Sequence, residues 1–88
     1  PIKLIINESQ VFIYKRKYFG GLKEIVLFKE DILSLYQKTK ILRSWKYKAF
    51  IYAILKDNSK HLIIAINVDK KDDAEVLLEF FESLLFNR

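Results

Sequence analysis

Two clusters of cations are the parts of this chain best equipped for chemistry. The first is Lys15, Arg16 and Lys17, preceded by Lys3 on the neighbouring stretch, and adjacent positive charges of this kind suit an anionic surface or head group. The second is the run Lys38, Lys40, Arg43, Lys46 and Lys48, with Trp45 and Tyr47 interleaved. Cations beside rings suit single-stranded nucleic acid, where bases stack on the rings and the backbone needs neutralising. The same run also fits a solvated strand edge, where lysines discourage pairing with another chain. Strand parity turns Trp45 and Tyr47 inward with Ala49 and leaves Lys46 and Lys48 outside.

No catalytic constellation accompanies these clusters. His61 is the sole histidine, follows a turn directly, and has no cysteine or second histidine to complete a ligand set, so it is expected at the surface. Asp72, Glu75, Glu79 and Glu82 align at helical spacing but have no enclosure, and a carboxyl group needs burial to become a general acid near neutral pH. Gly20 and Gly21 lack the longer glycine pattern and following helix of a phosphate loop, so they read as a tight turn. The residues predict no enzyme activity, no metal, no cofactor and no small-molecule substrate.

The elements that must position these groups are mostly strands. Alternation of apolar and polar residues marks strands at 2–6 and 11–16, joined through Asn7, Glu8 and Ser9 as a hairpin. A third strand is expected at 22–28, a corner or single helical turn at Lys29, Glu30 and Asp31, and a fourth strand at 32–37 with a bulge. Residues 38–47 could be an exposed strand or a long loop. Strands at 50–55 and 61–68, separated by Asp57, Asn58 and Ser59, form a second hairpin whose apolar character on both faces suggests central strands. The period then changes to 3.6, and a helix is predicted over about 70–86, with Ala74, Leu77, Leu78, Phe81, Leu84 and Leu85 on its apolar face. Asp72 with Glu75 fits a capping box. A helix with one wide apolar face must cover a sheet, so the fold class is α+β: six or seven antiparallel strands, as a barrel or curved sheet, capped by one C-terminal helix.

Eighty-eight residues are enough for a single domain, 1–88, burying about 60 to 65% of its unfolded surface. With 51% hydrophobic and 31% charged residues the chain is globular and should fold without a cofactor. It has no cysteine, which excludes disulfides and thiolate chemistry and fits a reducing compartment. The longest apolar run, residues 50–55, is far short of the ~20 needed for a spanning helix. Pro1 suits either a trimmed initiator methionine or a domain cut from a longer protein. The net charge of +5 is uneven, because residues 1–44 hold nine cations and four acids, while the predicted helix holds Asp72, Asp73, Glu75, Glu79 and Glu82 with no cation. One side should therefore be acidic and the remainder basic, a layout that would orient the molecule on an anionic surface with its helix outward.

In this order of elements the chain resembles the bacterial pleckstrin-homology-like domains. The matching stretches are LIINE at residues 4–8, FKEDI at 28–32, ILKDNSK at 54–60 and the acidic, leucine-rich helix at 72–85. Where bacterial members often have tryptophan before the acidic pair, this chain has Phe28 followed by Lys29. The resemblance implies a non-enzymatic binding or scaffolding module, cytoplasmic or the soluble domain of a membrane protein, working with a protein partner or as a homo-oligomer. Phosphoinositide-binding members carry a basic signature across the first hairpin, and Lys3 with Lys15, Arg16 and Lys17 is its counterpart here. The signature's final arginine is replaced by Lys17, which lacks the planar bidentate fork, so weak attraction to anionic lipid at roughly 1 kcal/mol per cation is expected rather than specific recognition.

The apolar residues exceed what one core face requires. Ile63 and Ala65, Ile51 and Ala53, and Val76 and Phe80 fall on faces opposite the assigned core, and of these Val76, Phe80 and Ile63 are candidates for a partner surface. An open strand edge could also accept a peptide. The leading expectation is protein interaction or self-association beside a membrane, followed by a small basic nucleic-acid binder and then by weak anionic-lipid binding.

Overall fold

The computed structural model describes residues 3–86, so Pro1, and Ile2 at the head of the first expected strand, lie outside the described residues. Its strands are β1 (Lys3–Ile6), β2 (Gln10–Arg16), β3 (Leu22–Phe28), β4 (Ile32–Ile41), β5 (Tyr47–Leu55) and β6 (Lys60–Val68), followed by the helix α1 (Asp73–Phe86). All pairings are antiparallel and sequential, giving one sheet in the order β1-β2-β3 and a second in the order β4-β5-β6. The fold is α+β with six strands, and among the described residues the two sheets stay separate and no barrel closes.

Local chemistry explains each connection. Between β1 and β2 the Asn7 side chain accepts the Ser9 and Gln10 amides at 3.0 and 2.8 Å, an Asx-type turn. Between β2 and β3, Gly20 and Gly21 take φ of 95° and 79°, values open to residues without a Cβ. Lys29–Asp31 forms the expected single turn of 3₁₀ helix, and β4 carries the expected bulge between Ile32 and Ser34. Backbone bonds from Lys29 to Ser9 and from Lys56 to Asp31, both 2.9 Å, tie this corner to the neighbouring turns. The uncertain stretch 38–47 divides: residues through Ile41 extend β4, and a short turn leads to β5 at Tyr47.

One core joins both sheets and the helix. Val11, Ile13 and Leu27 from the first sheet meet Ile32, Leu35, Ile51, Ala53 and Ile63 from the second, and Phe81 and Leu85 close it from α1. The helix lies over the inner face of the second sheet, where Ala49 and Ala53 leave room for its close approach. Ala74, Phe81 and Leu85 are buried and Leu77 and Leu78 half-buried, as the helical period requires, while Leu84 remains exposed.

Several expectations are corrected. Ile51, Ala53 and Ile63 are fully buried, so Ile63 offers no partner surface. Strict alternation misassigns Ile63 because the β5–β6 register shifts at Ile51/Tyr52: Tyr52 pairs with Leu62 and Ile51 with Ile64, and the extra residue between them turns into the core. Of the second hairpin, β5 is central but β6 pairs with β5 alone, at the edge. The helix begins at Asp73 rather than near residue 70. Its expected capping box is replaced: the Asp73 carboxylate accepts the Lys70 amide at 3.2 Å, and Glu75 accepts from the Gln37 side chain at 2.9 Å. At the other end Lys29 donates to the Leu84 carbonyl at 3.2 Å, placing a cation at the negative end of the helix dipole.

Candidate functional site

Three surfaces carry the residues singled out by sequence. The first is one end of the first sheet. Lys3 pairs with Tyr14, Lys15 with Lys23 and Arg16 with Leu22, so the register brings Lys3 to the same end as Arg16 and Lys17. The cations do not share a face, because Lys15 alternates to the inner side while Arg16 follows Tyr14 on the outer side. They share an end of the sheet but are divided between its two faces. Glu24 lies opposite Tyr14, and its carboxylate beside the phenol raises the phenol pKa above 10.0. Beyond them the β2–β3 turn projects Tyr18 and Phe19, each 94% exposed, with rings in edge contact at 5.0 Å.

The second surface is the outer face of the second sheet. Tyr36 lies opposite Tyr52, Lys38 opposite Phe50, and Lys40 opposite Lys48. The two tyrosine rings stack with centroids 5.0 Å apart, and Phe50 extends the stack at 6.5 Å from Tyr52. Lys48 lies 5.7 Å from the Phe50 centroid and Lys60 5.4 Å from that of Tyr36, so cations flank an aromatic row. The rows on this face contain no acid. Lys40 and Lys48 face each other directly, a like-charge pairing that costs roughly 0.2–1 kcal/mol without a counter-charge.

Of the sequence candidates, Lys38, Lys40 and Lys48 belong to this face. Tyr47 keeps the parity of Ala49 and is half-buried on the inner side. Trp45 does not turn inward: it occupies the β4–β5 turn at φ 63° and is 83% exposed. Lys46 is paired at 3.4 Å with Asp69, both exposed, and Arg43 is exposed in the same turn. Tyr36, Phe50, Tyr52 and Lys60 escaped sequence reasoning. Their signal, aromatic residues two apart in β5, was hidden because both faces of that strand are apolar, and only the β4–β5 register brings Tyr36 to Tyr52.

The third surface is apolar. On the outer face of the first sheet Ile5, Phe12 and Val26 lie in one cross-strand row, with Phe28 one row further along beside Gln10. Ile5, Val26 and Phe28 are exposed, and Phe12 is half-buried. On α1, Val76 and Phe80 are 64% and 56% exposed, and Leu84 continues their stripe one turn on.

The remaining candidates carry structure. His61 is half-buried rather than superficial, with Nε2 3.5 Å from the Ser59 hydroxyl. Asp57 accepts that hydroxyl at 2.6 Å and the Ser59 amide at 3.0 Å, which hold its pKa below 3.8. Among the described residues no three His, Cys, Asp or Glu side chains gather as metal ligands, and no helix is long and apolar enough to cross a membrane. Asp72 lies just before α1, and Glu79 and Glu82 border a shallow, open surface depression with Ser83 and Phe86. Comparison with protein-family models, with curated proteins and with solved structures found no match.

Proposed function

We propose that this chain is a non-enzymatic binding or scaffolding module of pleckstrin-homology-like architecture that acts by contact with a protein partner, a second copy included. The carrying observation is the row Ile5, Phe12 and Val26, which crosses all three strands of the first sheet on the side away from the core. Apolar side chains scattered singly over a surface are ordinary, but a continuous row rimmed by polar groups marks contact with another macromolecule. The strand edges of both sheets offer a second means of attachment, by addition of an extended segment. A Val26→Lys variant places a charge at the β3 end of the row, beside Phe12, without touching the core. It should retain the fold and lose the association, read as molar mass by light scattering and as partner retained from lysate.

A second reading is supported by the outer face of the second sheet. There the stacked rings of Tyr36, Tyr52 and Phe50, with Lys38, Lys40, Lys48 and Lys60 around them, match the combination that single strands require. Titration with single-stranded and duplex oligonucleotides at two salt concentrations tests it. The reading expects single-strand binding that falls steeply with salt and weakens by about 1–3 kcal/mol in Tyr52→Ala. Absence of binding at low salt rejects it.

A further inference from the structure

The most anomalous side chains in the molecule are Tyr18 and Phe19. Two consecutive aromatic residues, each 94% exposed, stand at the tip of the β2–β3 turn with only each other for company. Neither is needed to close the turn, which is made by backbone bonds from Lys17 to Gly21 at 3.1 Å and from Gly20 to Lys17 at 3.3 Å and by the positive φ of both glycines. Leu22, the next residue, is also exposed. The tip is therefore an apolar projection held out from the sheet by a turn that does not depend on it.

Behind the tip lies the densest positive charge of the first sheet. Lys3, Arg16 and Lys17 come to this end through the register, and Lys15 and Lys23 are direct cross-strand partners. None of the five is ion-paired among the described residues, and the one acid nearby, Glu24, lies across from Tyr14 rather than from a cation. Like charges placed opposite each other without an acid repel, and a negative surface relieves that repulsion. Alternation puts these cations on both faces of the sheet. That prevents them from forming a pocket, but it leaves them all available to a plane met by the end of the sheet.

We infer that the β2–β3 tip docks the molecule on an anionic lipid bilayer, with Phe19 and Tyr18 entering the interface and the five cations lying against the head groups. The chemistry of the tip separates this occupant from the others. The two rings meet edge-on at 75°, so they make a convex wedge and not a flat platform for bases. Aromatic side chains favour the depth at which a ring is apolar and a phenol still reaches water, and tyrosine beside phenylalanine fits that gradient. The acidic helix then belongs on the side away from the lipid. This inference stands apart from the protein-partner reading, because it uses the end of the sheet rather than its outer face, and either can fail alone.

The test is co-sedimentation of the intact chain with vesicles of phosphatidylcholine alone and with added phosphatidylserine, at low and high salt. Binding is expected on phosphatidylserine vesicles only, falling about fivefold for each of Arg16→Ala and Lys17→Ala, the factor that ~1 kcal/mol represents. The double variant Tyr18→Ser with Phe19→Ser should lose at least about tenfold through the apolar contribution, with an unchanged circular dichroism spectrum. Because the chain has no cysteine, a polarity-sensitive dye can be attached through Tyr18→Cys, and its emission should shift to the blue on these vesicles, while a dye at Val76→Cys stays unchanged. The inference is overturned by absence of vesicle binding at low salt, by a double variant that binds like the parent, or by a dye at position 18 that does not shift. Displacement from vesicles by soluble inositol phosphate would also overturn it, since a free phosphate site would then be the ligand-binding element.

Discussion

Asp57 illustrates how a single side chain sets a pH dependence. Its carboxylate accepts two bonds from Ser59, the hydroxyl first in effect, and its folded pKa lies below 3.8. A carboxyl group with a lowered folded pKa stabilises the fold fully above its unfolded value and loses that contribution as pH falls through the folded one. Thermal unfolding of Asp57→Ala should therefore differ from the parent near neutral pH, and the difference should shrink below about pH 4. Trp45 tests backbone strain instead. A bulky residue at φ 63° is held in the left-handed region, and with its ring exposed it recovers little by packing. Trp45→Asn should raise stability by about 0.5–1 kcal/mol, seen as a higher denaturation midpoint in urea at an unchanged slope. The left-handed position was not legible in the sequence. Strand parity carried Trp45 inward because it assumes extended backbone, and nothing before Lys46 marks where β4 ends.

Among the elements, α1 was the most legible and β5 the least. A change to a 3.6 period with acids opposite leucines has one structural solution, and α1 appears close to its expected bounds. In β5 alternate residues are Ala49, Ile51 and Ala53 on one face and Phe50, Tyr52 and Ile54 on the other, so period 2 marks a strand without saying which face is inside. The helix decides, because it packs on the small residues and leaves the larger rings outside. That choice explains why the aromatic row of the second sheet, and the burial of Ile51 and Ala53, were invisible before the register was known. Adjacent helix residues separate core from surface sharply. Phe81→Ala should cost about 3–5 kcal/mol, whereas Phe80→Ala should change stability by less than about 0.5 kcal/mol, both measured by chemical denaturation. Ending the chain before Asp73 removes Phe81 and Leu85 from the shared core, and the remaining strands should melt without a cooperative transition.

For the whole molecule, burial and charge point the same way. The core uses the inner faces of both sheets and one side of α1, which leaves the outer faces with the apolar row of the first sheet and the aromatic row of the second. Acid collects on the helix and cation at the end of the first sheet, so each surface has a distinct character. Charge segregation was readable from the sequence because it follows the order of elements. The apolar row of the first sheet was not, because Ile5, Phe12 and Val26 are far apart in the chain and come together only through two strand registers. The central claim, that this row is a contact surface for protein, is tested most directly by light scattering of the parent and Val26→Lys over a concentration series, paired with recovery of partners from lysate. The account predicts a parent that exceeds the 10.5 kDa monomer mass or retains a partner, with Val26→Lys folded, at 10.5 kDa and without one. A parent that remains at 10.5 kDa at every concentration and recovers nothing that Val26→Lys does not also recover would contradict it.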